Sequence, residues 1–79
     1  MGLIDRVNKK LEKYNLIFTN YKEYSEKYKG IVRDTKTGYE KKYVVWKSLQ
    51  PEFIDNFAKI CRDFIDLSIK YEQETKGVK

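Results

Sequence analysis

The stretch from Pro51 onward constrains the fold more than any other part of the chain. Phe53, Phe57, Ile60, Phe64, Leu67 and Tyr71 recur at spacings of 4, 3, 4, 3 and 4, the period of one face of an α-helix. Beside them run Ile54, Ala58, Cys61, Ile65 and Ser68, and mostly charged residues fill the positions between. Pro51 suits the first helical position, where its missing N–H costs nothing. Ser48 or Gln50 can cap, and Glu52 favours the positive end of the helix dipole. A helix from Pro51 to about Glu74 would be ~36 Å long at 1.5 Å per residue. Strands of the size this chain can form reach about 20–30 Å. The helix is therefore expected to overhang its sheet, leaving Ile65, Leu67, Ile69 and Tyr71 partly stranded unless the first helix or a second subunit covers them. Residues 75–79, "TKGVK", read as a frayed tail.

The upstream pattern supplies the sheet. "LIDRVNKKLEKY" places Ile4, Val7, Leu11 and Tyr14 at helical spacing, with Arg6, Lys9, Lys10 and Lys13 mostly on other faces. "LIFT", residues 16–19, is a short apolar run of strand formers. Residues 20–29 admit two readings. A helix could open at Asn20 with Glu23 as its capping-box partner, placing Tyr21, Tyr24 and Tyr28 in one stripe. Alternatively, a turn near Lys22–Glu23 leads into a strand from about Tyr24 to Arg33, which Tyr, Ile and Val favour. The strand is preferred, because the next strand needs a partner of matching length. "DTKTG", Asp34 to Gly38, reads as a hairpin loop: Asp suits the first turn position, and Gly supplies the positive φ that closes it. Residues 39–47 continue as a strand.

The expected fold is α+β: a single domain over residues 1–79, ordered over about 3–74, with an antiparallel sheet in an α-β-β-β-α order covered by a long C-terminal helix. In order and length this is similar to the double-stranded-RNA-binding domain. The second helix of that family opens on a lysine-rich phosphate-contacting motif. Here the corresponding residues read "PEFIDNFAK", an acidic start that argues against that mode of RNA binding.

Composition narrows the function. The chain has no His and one Cys. This removes His-dependent acid–base chemistry, Ser–His and Cys–His nucleophile pairs, thiolate clusters and imidazole zinc sites. Cys61 reads as a small buried hydrophobe. Neither a Walker-type nor a dinucleotide-binding glycine pattern is present. Asp63 and Asp66 lie three apart among Lys59, Arg62 and Lys70, which reads as a solvated charged face. The expectation is a protein that is not an enzyme, with no catalytic residue, metal, cofactor or small-molecule substrate. No apolar run reaches signal-peptide or membrane-spanning length, so no membrane partner is expected, and a reduced, cytoplasmic setting fits the lone cysteine.

Two surfaces remain as candidates. Residues 1–50 carry 12 Lys/Arg against 6 Asp/Glu, a balance of +6, whereas residues 51–75 carry 3 against 6, a balance of −3. If the hairpin pairs symmetrically about its turn, Lys27, Lys29, Ile31 and Arg33 share a face with Tyr39, Lys41, Tyr43, Val45 and Lys47. Tyr24, Tyr28, Val32, Val44 and Trp46 would form the inner face. The basic and aromatic outer set, Lys27, Lys29, Arg33, Tyr39, Lys41, Tyr43 and Lys47, is the candidate nucleic-acid-binding surface. The alternative is a protein-interaction module, a homodimer or a small inhibitor of a larger protein, that uses Phe64, Leu67 and Tyr71 on the second helix.

Overall fold

The computed structural model describes residues 2–77, with side chains described as far as Glu72. The chain forms α1 (Leu3–Glu12), β1 (Leu16–Glu23), β2 (Lys27–Asp34), β3 (Glu40–Trp46) and α2 (Pro51–Gly77). The three strands make one antiparallel sheet in the order β1-β2-β3. This is the expected α+β architecture. Residues 20–29 are not helical. β1 runs to Glu23, the turn falls at residues 24–26, and Tyr24 N–H donates to Lys27 O at 2.8 Å. The long helix continues three residues past Glu74, so residues 75–77 are helix rather than tail. Val78 and Lys79 lie outside the described residues.

Both helices cover one face of the sheet. Ile4, Val7 and Leu11 of α1 and Ile54, Ala58, Cys61 and Ile65 of α2 meet Leu16, Phe18, Val32 and Val45 in a single core. The edge of β1 is secured by a side chain. Asn8 Oδ1 accepts from Phe18 N–H at 2.7 Å, and Asn8 Nδ2 donates to Phe18 O at 3.2 Å. That amide does the work of a neighbouring strand at this residue. Between Thr19 and Lys22 the β1–β2 register slips, with Asn20 at φ 53. The bulge carries Tyr21 over Gly30, where a Cβ would sit 2.7 Å from Tyr21 Cβ. Only a residue without a side chain permits that approach. Tyr21 thereby stacks on Phe18 with centroids 5.4 Å apart and meets Tyr28 edge-on at 5.9 Å.

The turn at Asp34 sets the register of β3. Asp34 Oδ1 accepts from the N–H groups of Lys36 at 2.8 Å and Thr37 at 3.0 Å. Gly38 takes φ 78, and its N–H donates to Asp34 O. Asp34 N–H donates to Tyr39 O, so these two residues close the ladder. A symmetric hairpin would have paired Arg33 with Tyr39; in the structure Arg33 pairs with Glu40. One residue of slip exchanges the faces of a strand. Val45 accordingly points into the core and Val44 is only half-buried, while Trp46 is 50% exposed rather than an inner residue.

Candidate functional site

The seven residues of the expected basic face do not lie together. Lys27, Lys29 and Arg33 stand on the open side of the sheet. Tyr39, Lys41, Tyr43 and Lys47, carried by β3 and its ends, face the helices. Lys41 Nζ reaches Ser68 Oγ on α2 at 3.4 Å. Tyr43 meets Phe57 edge-on at 6.4 Å. Lys47 Nζ is ion-paired to Glu23 at 2.6 Å and lies 5.2 Å from the Tyr28 ring centroid. The open face instead gains Lys42, Val44 and Trp46 from β3 and Lys22 from β1. Nothing in the spacing of Lys and Tyr announced this exchange, because it is decided by one hydrogen-bonded pair at the turn.

Tyr43 and Cys61 are two groups whose titration is pushed upward by burial. Burial pushes the Tyr43 hydroxyl up to about 12, with Cys61 and Tyr39 adding to the shift. Its Oη is buried with no hydrogen-bond partner among the described residues. Burial likewise pushes the Cys61 thiol up to about 12, far from thiolate reactivity. Among the described residues no group of three or more His, Cys, Asp or Glu side chains could hold a metal ion. No described helix is long and apolar enough to cross a membrane.

The largest anomaly is on α2. Its two apolar stripes are treated differently by the fold. Ile54, Ala58, Cys61 and Ile65 are between 0 and 2% exposed. Phe53, Ile60, Phe64, Leu67 and Tyr71, the stripe at 4-3 spacing, are 53, 42, 53, 62 and 71% exposed. Phe57 is the half-buried member, held by Tyr43. Of the four residues expected to be stranded by the overhang, Ile65 is in fact core and Ile69 is half-buried, while Leu67 and Tyr71 are exposed. Full burial of a large apolar side chain is worth about 1.5–3 kcal/mol, so this stripe withholds a substantial stabilisation from the monomer. Leu67 lies between two shallow hollows. One is lined by Tyr39, Phe64, Ser68 and Tyr71, the other by Asp63, Asp66 and Lys70.

Arg62 holds α2 in the orientation that produces this division. Its guanidinium donates to Tyr14 O at 2.8 Å, Asp34 Oδ2 at 2.5 Å and Asp66 Oδ1 at 2.6 Å. One side chain thus ties α2 to the turn that follows α1 and to the hairpin turn. Burial by itself would raise the Asp34 carboxyl, but the Arg62 guanidinium and the Thr37 and Lys36 amides outweigh it and hold it below the usual carboxylate value. Desolvation acts to lower the Arg62 pKa, and its two carboxylate partners raise it above the ordinary value.

Comparison of the chain with models of known families, with curated proteins and with solved structures returns no match.

Proposed function

We propose that the chain is a small non-catalytic interaction module that pairs with a second copy of itself, α2 against α2. The observation that carries this reading is the exposed stripe Phe53–Ile60–Phe64–Leu67–Tyr71 beside a fully buried stripe on the same helix. Alternating spacings of 4 and 3 keep a seam facing a partner helix in left-handed packing. The free flank of that seam carries Asp63 and Lys70, seven residues apart and opposite in sign. The other flank is occupied by the chain's own core through Ile54 and Cys61. In an antiparallel pair the free flanks face one another, so Asp63 of each copy meets Lys70 of its partner while Phe64 layers on Leu67. In a parallel pair Asp63 would face the core-side flank at Ser68, where Lys41 Nζ is already hydrogen-bonded to Ser68 Oγ, rather than the lysine of its own flank. A two-fold antiparallel contact is also self-complementary, as a closed dimer requires.

The test uses exposed positions, so that loss of pairing is not confused with loss of fold. Phe64→Asp with Leu67→Asp removes the dimer in light scattering on a size-exclusion column and leaves the far-ultraviolet circular dichroism spectrum unchanged. A double variant that retains the wild-type mass overturns the assignment of the interface to α2.

A further inference from the structure

We propose that the open face of the sheet binds single-stranded nucleic acid. This site shares no residue with the α2 stripe. Because both helices pack on the other side, the face is bare from Ile17 on β1 to Trp46 on β3. It presents Lys22, Lys27, Lys29, Arg33 and Lys42 against one acid, Glu40. Arg33 engages that acid at 2.6 Å, leaving the four lysines in excess. Charge is also segregated across the molecule: residues 51–75, most of α2, carry the balance of −3. A polyanion is therefore drawn to the sheet rather than to α2.

The rings choose among polyanions. Trp46 is 50% and Tyr24 42% exposed at the same end of the face. Lys27 Nζ lies 5.1 Å from the Trp46 ring centroid, and Lys29 Nζ lies 5.7 Å from that of Tyr24. Each ring thus has an ammonium group over one face, and a base stacked on such a ring would bring its phosphate within reach of that lysine. Between the rings and Arg33, a shallow apolar hollow over Gly30, Ile31 and Val44 is rimmed by Asn20, Lys29 and Lys42, with room for a further base. A duplex hides its base faces within the stack, and no helix or hairpin projects from this face to enter a groove. An acidic peptide would use the lysines and leave the rings idle.

The experiment titrates the intact chain with oligo(dT), oligo(U), a duplex of equal length and poly-glutamate, following fluorescence of Trp46, the sole tryptophan. Single strands are expected to quench it, more weakly as salt rises, because phosphate contacts release counterions. Lys29→Glu with Lys42→Glu, and separately Trp46→Leu, are expected to weaken binding of a labelled oligonucleotide roughly tenfold or more by anisotropy. Lys9→Glu on α1 with Lys13→Glu at its C-cap makes the same change in net charge and is expected to leave affinity nearly unaltered. No quenching at low salt overturns the proposal. Equal effects of the two Lys pairs overturn it, as does binding of duplex or poly-glutamate as tight as that of the single strands. All the substituted positions are exposed, and circular dichroism confirms the fold of each variant.

Discussion

At the residue scale the fold turns on Asp34 and Arg62. Asp34 is 3% exposed yet charged, which is tolerable only because its oxygens are taken up by Arg62 and by two turn amides. Removing the Asp34 charge leaves Arg62 with Asp66 and Tyr14 O but without its buried partner. Asp34→Asn is therefore expected to cost about 2 kcal/mol at neutral pH, read from chemical denaturation. The pH dependence has a definite sign. The folded-state pKa lies below the ordinary aspartate value of 3.8, so the unfolded chain binds the proton more readily. The Asp34 contribution is complete above that value and is lost as pH falls through the lower, folded one. The stability gap between wild type and Asp34→Asn should narrow below about pH 4. A gap that stays constant down to about pH 2 would show that the carboxylate charge is not what the turn uses. Asn8 acts on the same scale, giving the β1 edge its bonds to Phe18.

At the scale of elements, α2 is a helix with two apolar faces, one turned inward and one outward. If two copies pair antiparallel, Asp63→Lys places a like charge beside each Lys70 and weakens the dimer. Adding Lys70→Asp restores the opposite signs and should recover it, as sedimentation would read. Failure of the reversed pair to recover association would mean that the flank does not set the pairing direction. The elements were largely legible beforehand, since Pro51, the 4-3 repeat and the Asp34–Gly38 loop each have a local cause. What escaped was decided between elements. Both stripes of α2 are apolar at helical spacing, so which one turns inward depends on where Arg62 finds Asp34 and Tyr14 O. The membership of the open face depended on Asp34 pairing with Tyr39, a one-residue choice made by side-chain hydrogen bonds within the turn. Tyr39, Lys41, Tyr43 and Lys47 were misplaced for that reason alone. The bulge at Asn20 was likewise invisible without Gly30 across from it.

At the scale of the whole molecule, the chain exposes more than a compact domain should. Its accessible surface is 5800 Å², against about 5000 Å² for a compact monomer of this mass. Its radius of gyration is 13.4 Å, where about 11.6 Å is usual for this length. The extents of 46 × 23 × 17 Å reflect the 27-residue α2, about 40 Å long, set on strands of about 25 Å. Pairing along the overhang would bury the excess apolar surface. Sedimentation equilibrium over a wide range of protein concentration tests this central claim most directly. The account predicts a mass that rises to twice the 9.5 kDa of the chain and stays there. A mass that remains at 9.5 kDa up to the highest soluble concentration would contradict it.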